Sequence, residues 1–118
     1  VTPKLLAAYR RTLYVVGDKA IRIGQRSEAG NAVLITAWNP HSRRMPAGWN
    51  QRMQTRLIER LRSTQYDPAT GAGRGWAEDH VMVAMPVAKA AVLARRFRQN
   101  AIVVLRRGQK TTLLILNR

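Results

Sequence analysis

The sequence predicts an α+β protein: one domain over residues 1–118, a mixed sheet of about five to six strands with two main helices packed on it, in the order α-β-β-β-α-β-α-β-β. Three observations predict it. Short β-branched runs flank glycine-bearing turns at both ends of the chain, which reads as hairpins. Two longer segments carry apolar residues at helical spacing. Between them lie further strand-like runs, and helices alternating with strands beside terminal hairpins indicate helices segregated on a sheet. The chain has 118 residues, 46% of them hydrophobic, enough for one core.

Pro3 to about Tyr9 predicts a short helix, with proline in its first turn and Leu5, Leu6 and Tyr9 on one face. Leu13–Val16 and Lys19–Ile23 flank Gly17-Asp18 and predict a hairpin, because glycine supplies the positive φ of a tight turn. A polar loop follows over Gln25–Asn31. Val33–Ala37 reads as a buried strand ended by Pro40, which has no N–H for a ladder and restricts the residue before it. From Pro46 to about Ser63 the apolar residues Trp49, Met53, Leu57 and Leu61, with Ile58 beside them, predict the longest helix. Tyr66–Gly75 reads as a loop, because Asp67-Pro68 and glycines 71, 73 and 75 disfavour regular structure. Val81–Met85 predicts a strand, and Pro86 to about Arg98 a helix with Val87, Ala90, Ala91, Ala94 and Phe97 buried. Asn100 suits the left-handed position closing that helix. Ala101–Leu105 and Thr111–Leu116 predict the last hairpin.

Composition limits the function classes. The absence of cysteine excludes disulfides and thiolate metal sites, and suits a reducing compartment. No apolar run approaches the roughly 20 residues that span a bilayer, so no membrane partner is expected. The first residues lack the apolar stretch of a signal peptide. The net charge of +15, from 21 basic against 6 acidic residues, favours a polyanionic partner such as RNA. Arg52, Arg56 and Arg60 recur at one-turn spacing, and Arg43, Arg44, Arg95, Arg96, Arg98, Arg106, Arg107 and Lys110 complete the candidate phosphate-contacting set. No helix-turn-helix, RNP or GXXG pattern accompanies them, so contact with backbone and shape is expected rather than base readout.

The stretch Ile35-Thr36-Ala37-Trp38-Asn39-Pro40-x-Ser42, with Asn50, Gly75-Trp76-x-Glu78, Ala94–Phe97 and Gln99-Asn100-Ala101, resembles a bacterial family catalogued as domain of unknown function 3293. The resemblance covers nearly the whole chain. It implies a small bacterial, cytoplasmic protein and no assigned activity. His80 departs from the small residue that the resemblance leads one to expect after the Trp-x-Glu element.

Catalytic signals are thin, and no catalytic residue is assigned. Ser42, His41 and Asp79 contain the residue types of a hydrolytic triad, but adjacent residues seldom face each other and no nucleophile-elbow glycines surround Ser42. Glu78, Asp79 and His80 are too few, with His41, for the local pair spacing of a zinc site, although Glu78 and His80 share a face if they lie on a strand. The Gly71-x-Gly73-x-Gly75 spacing is not a dinucleotide fingerprint, so no cofactor is expected. The alternative to nucleic-acid binding is a polar-aromatic pocket of Thr36, Trp38, Asn39, Ser42, Asn50, Trp76, Glu78, Gln99 and Asn100, at junctions where strands meet helices. Within it Glu78 is expected to be partly buried near the 38–42 loop, kept ionised by an arginine or by backbone N–H groups.

Overall fold

The computed structural model describes residues 1–62 and 64–116. Helix α1 (Pro3–Arg11) starts at Thr2, whose hydroxyl accepts the Leu5 N–H. The hairpin β1 (Leu13–Val16) and β2 (Lys19–Ile21) turns at Gly17, which has φ +60°. Strand β3 (Ala32–Ile35) leads through a 3₁₀ turn at Pro40–Ser42 into α2 (Ala47–Leu61). A long hairpin, β4 (Tyr66–Gly73) and β5 (Trp76–Val83), follows, then α3 (Val87–Arg96) and the hairpin β6 (Ala101–Leu105) and β7 (Thr112–Ile115). The predicted end of the long helix at Ser63 falls outside the described residues.

The seven strands form one sheet in the order β2-β1-β4-β5-β3-β6-β7, and all six pairings are antiparallel. This corrects the expected mixed sheet of five to six strands, and the cause is Tyr66–Gly73, which is a strand and not a loop. Without β4, the connection through α2 joins neighbouring strands as a parallel crossover. With β4 present, the chain reverses once more before β5 reaches β3, and the pairing becomes antiparallel.

The glycines of β4 are the physical reason that it is a strand. Gly71 lies opposite both Tyr14 of β1 and Glu78 of β5, and Gly73 lies opposite Trp76. A Cβ on Gly71 would stand 2.7 Å from His80 Cε1 and 3.1 Å from Tyr14 Cε1, and one on Gly73 would meet the Trp76 indole. The period-two glycines clear one face of the sheet for large rings, a recognised use of glycine within strands.

Side chains alternate between the two faces. Val33, Ile35, Val81, Val83, Ile102 and Val104 point to one face, where Leu57 and Leu61 of α2 and Ala90, Ala91 and Ala94 of α3 cover them. Each fully buried Leu or Val there contributes about 1.5–3 kcal/mol. Tyr14, Val16, Leu34, Val103 and Leu105 point to the other, with Ile21, Met82 and Leu113 packed among them. The sheet curls around this second face. Gly24 N donates to Thr111 O, Thr111 N donates to Gln25 O, and Arg26 bridges to Lys110, so the chain leaving β2 meets the chain entering β7. Helix α1 lies against the open end of the curl through half-buried Leu5, Ala8 and Tyr9.

The left-handed residue after α3 is Arg98 (φ 56°), not Asn100. Gln99 N donates to Ala94 O and Arg98 N to Arg95 O, the paired bonds of a Schellman motif. Asn100 is engaged instead by Leu116 N at its carbonyl and by Ser42 at its side chain.

Candidate functional site: a cleft at the open end of the curled sheet

The concave face ends in a cleft of about 670 Å³. Its walls come from α1 (Leu5, Ala8, Tyr9), from alternate residues of β3 and its extension (Leu34, Thr36, Trp38), from β5 (Trp76, Glu78, His80), and from β6 and β7 (Ala101, Val103, Leu113). Asn39, Ser42, Arg44, Asn50 and Gln99 line it as well.

The Pro40 turn sets the polar groups. Three residues in a run of four, Asn39 (φ 47°), His41 (φ 54°) and Ser42 (φ 61°), adopt left-handed backbone. Such conformations cost on the order of 1 kcal/mol each for non-glycine residues and persist where surroundings over-determine them. The surroundings are explicit here. Asn39 N donates to Asn50 Oδ1 (3.0 Å), and Asn50 Nδ2 donates back to Asn39 Oδ1 (2.9 Å) and to Met45 O (3.2 Å). Met45 N donates to Asn39 Oδ1 (2.9 Å), and His41 N donates to Arg98 O (2.7 Å). Gln54, one turn after Asn50 on the buried face of α2, accepts the Ala37 N–H (2.9 Å), and Gln99 donates to Trp38 O (3.0 Å). Thr36 Oγ1 donates to Asp79 O (2.6 Å) and accepts from Trp38 N (3.0 Å).

Glu78 is half-buried, and Asn39 Nδ2 donates to its Oε2 across 2.6 Å. Burial pushes its carboxyl above the usual carboxylate range, and the Asn39 bond only partly offsets that. The expected position beside the 38–42 loop holds. Among the described residues the partner is a neutral side-chain amide rather than the expected arginine or backbone N–H. His80 is buried, and burial lowers its imidazole to about 4, opposed by the contact of Nδ1 with Glu78 O (3.1 Å). Facing a carbonyl, Nδ1 carries the proton of the neutral ring and Nε2 is left as an acceptor. The Tyr14 ring meets the His80 ring edge-on at 5.4 Å, and burial raises the hydroxyls of both Tyr14 and Tyr9. Tyr9 is hydrogen-bonded to Ser42 and Asn100, and Asn100 Nδ2 donates to Ser42 Oγ (2.9 Å). The buried Trp38 Nε1 and Gln54 Nε2 have no hydrogen-bond partner among the described residues.

Thr36, Trp38, Asn39, Ser42, Asn50, Trp76, Glu78 and Gln99 all line this one cleft, and Asn100 reaches it through Ser42. Tyr9 and His80 line the cleft as well, and Gln54 supports the loop behind it, outside the set that the sequence singles out. Tyr9 and Gln54 are far from the motif in sequence, although Gln54 follows Asn50 at helical spacing; His80 was signalled by its parity with Glu78. Asp79 alternates to the helix-covered side of β5, away from Ser42, so the residue types of a triad do not converge. Among the described residues no group of three or more His, Asp or Glu is placed to hold a metal ion.

The basic residues form no single surface. Arg52, Arg56 and Arg60 are exposed on α2, and Arg43 and Arg44 are exposed before it, with Arg44 at the cleft. Arg95, Arg96 and Arg98 lie at the cleft end of β6, whereas Arg106, Arg107 and Lys110 lie at its other end. Five strand residues separate them by about 16 Å.

An α+β protein with a curled antiparallel sheet, two helices on its convex side and a polar-aromatic cleft at its open end is the class that fold and site define. The chain belongs to the family described as "Protein of unknown function (DUF3293)", whose model matches residues 35–102. The match covers a little over half of the chain rather than nearly all of it, and leaves out α1, β1, β2 and β7. It spans Thr36, Trp38, Asn39, Asn50, Trp76, Glu78, Gln99 and Asn100. No curated protein matches, and neither does any solved structure.

Proposed function

We propose that this is a small-molecule-binding domain whose ligand occupies the cleft and is held by Glu78. One observation carries the reading: the Glu78 carboxyl is half-buried against a neutral partner, with its pKa raised by burial. A carboxyl in that setting makes the ionised fold less stable than a neutral isostere would, and groups retained at such a cost cluster at binding and catalytic sites. The volume, apolar walls and few convergent polar groups are those of a ligand site. The cytoplasmic, bacterial setting implied by the sequence resemblance belongs to the same proposal.

Heteronuclear NMR tests it. Trp38 and Trp76 line the cleft and Trp49 does not, so the three indole N–H signals act as probes and control. A mixed fragment set should shift the first two and spare the third, and Glu78→Gln should reduce those shifts while leaving the remaining spectrum in place. Shifts confined to other parts of the molecule would overturn the reading.

A second reading is polyanion contact. The observation favouring it is the exposed row Arg52, Arg56 and Arg60 on α2 of a chain with net charge +15. The dispersion of the other arginines supports backbone contact without sequence preference.

A further inference from the structure

Three groups of different chemistry line the cleft: an indole face, a carboxyl and a guanidinium. We infer that the occupant is a flat nitrogen heterocycle with adjacent N–H donors and an anionic arm, the chemistry of a guanine nucleotide. This rests on the cleft reading above and names what the cleft holds.

The indole is Trp76. It lies so close to Gly73 that any Cβ there would collide with its Nε1, Cε2 and Cζ2 atoms, so the ring is seated against backbone. The residue is nonetheless 39% exposed and lines the cleft. A ring already held against the sheet offers a stacking surface with little side-chain entropy left to lose, and bases stack on such rings with useful affinity.

The carboxyl is Glu78. Its Oε2 accepts one bond from Asn39 Nδ2 and keeps a second lone pair, and among the described residues Oε1 takes no hydrogen bond. Asn39 is itself fixed by Met45 and Asn50, so the carboxyl is oriented before any ligand arrives. An oriented carboxylate pairs with two adjacent N–H donors, which the N1 and exocyclic amino groups of guanine present on one edge. Adenine presents an acceptor at N1 and lacks that match.

The guanidinium is Arg44, exposed at the mouth. It makes no ion pair with the described residues, and it suits a phosphate. The surrounding charge of +15 raises the local concentration of an anionic ligand and opposes a purely cationic one. Leu5, Ala8, Leu34 and Val103 give the remaining wall an apolar surface for the flanks of a planar ring.

The test is titration of the full chain at neutral pH with guanosine monophosphate, inosine monophosphate, adenosine monophosphate and guanosine, read at the Trp38, Trp49 and Trp76 indole signals. Guanosine monophosphate is expected to move Trp38 and Trp76 only. Inosine monophosphate lacks the exocyclic amino group and should bind about tenfold more weakly, as should adenosine monophosphate. This comparison needs no variant. Glu78→Gln should erase the preference for guanine, and Arg44→Gln should bring guanosine monophosphate to the affinity of guanosine. Equal binding of all bases, unchanged by Glu78→Gln, overturns the ligand class. Shifts produced by other fragments but by none of these compounds also overturn the class and leave the cleft reading standing. If no compound of either set moves Trp38 or Trp76, both fall together.

Discussion

Asn39 and Glu78 meet across the mouth of the cleft at 2.6 Å, amide nitrogen to carboxyl oxygen. The contact joins the 3₁₀ turn to strand β5, and it is the point at which a structural network becomes a binding group. Behind the contact, Asn39 is itself held: its own N–H and its Oδ1 are bonded to Asn50 and Met45. In front of it stands a carboxyl whose charge burial opposes.

Asn39→Ala is therefore expected to destabilise the fold by about 3 kcal/mol, from the lost hydrogen bonds and from alanine in a left-handed conformation. Asn39→Gly loses the same side-chain bonds but tolerates φ 47°, and should recover about 1 kcal/mol of that loss. Denaturant unfolding of the two variants beside the wild type checks both figures. Equal midpoints for Ala and Gly would show that the backbone contributes nothing.

Glu78→Gln is expected to leave the unfolding midpoint unchanged or raise it. Pairing with arginine predicts a loss on the order of 3 kcal/mol instead, from the charge left unpaired. With a neutral partner and a carboxyl raised by burial, the neutral amide removes a desolvation cost and can still accept from Asn39. A large fall in the midpoint would contradict the geometry described.

Gly71→Ala should cost about 2 kcal/mol, because the new methyl meets the buried His80 and Tyr14 rings at 2.7 and 3.1 Å. Gly73→Ala meets only the Trp76 indole, a 39% exposed side chain that the new methyl would displace from the sheet. Its expected stability change is below about 1 kcal/mol, with a shift of the Trp76 indole signal. Thermal unfolding and NMR of the two variants separate the cases.

These glycines also show where the sequence was readable and where it was not. The buried strands, the three helices and the placement of Thr36, Trp38, Asn39, Asn50, Trp76, Glu78 and Gln99 at one junction follow from local signals: β-branched runs, helical spacing, and a proline that ends a strand beside polar residues. Strand β4 does not. Glycine and Asp-Pro lower local strand propensity, and what overrides it is tertiary: rings from β1 and β5 need the space that Gly71 and Gly73 leave. The buried role of Gln54 was hidden for a related reason. The predicted stripe of Trp49, Met53, Leu57 and Leu61 is rotated from the buried one, Asn50, Gln54, Leu57 and Leu61, because α2 turns amides toward the backbone of residues 37–39. Curling of the sheet depends on bonds between Gly24–Arg26 and Lys110–Thr111, far apart in sequence and made by backbone groups that carry no residue signature.

The arginine row on α2 makes a separate prediction. If the chain contacts polyanions there, affinity for a generic duplex RNA should fall steeply with salt, and Arg52, Arg56 and Arg60 replaced together by Gln should flatten the slope of log affinity against log salt by about 2–3. All three are exposed, so folding should be unaffected. An unchanged slope would place any such contact elsewhere.

The last prediction concerns pH. His80 has its folded-state pKa lowered from 6.5 to about 4 by burial. Between those values the unfolded chain binds a proton that the folded chain refuses. Stability is therefore complete above about pH 6.5, falls as pH drops towards 4, and loses about 3 kcal/mol over that window from this residue. Glu78 acts with the opposite sign: its folded carboxyl is raised, so the folded state binds the proton first and acidification relieves a cost. His80→Gln should thus remove the loss and expose the gain, leaving a protein whose unfolding midpoint is flat or rises on acidification across the same window. The double variant His80→Gln with Glu78→Gln should lose the Glu78 part of that rise as well. Urea midpoints for the three proteins at pH steps between 7 and 4 read both signs directly, and an identical pH dependence of wild type and His80→Gln would mean that the imidazole accepts its proton without opening the fold.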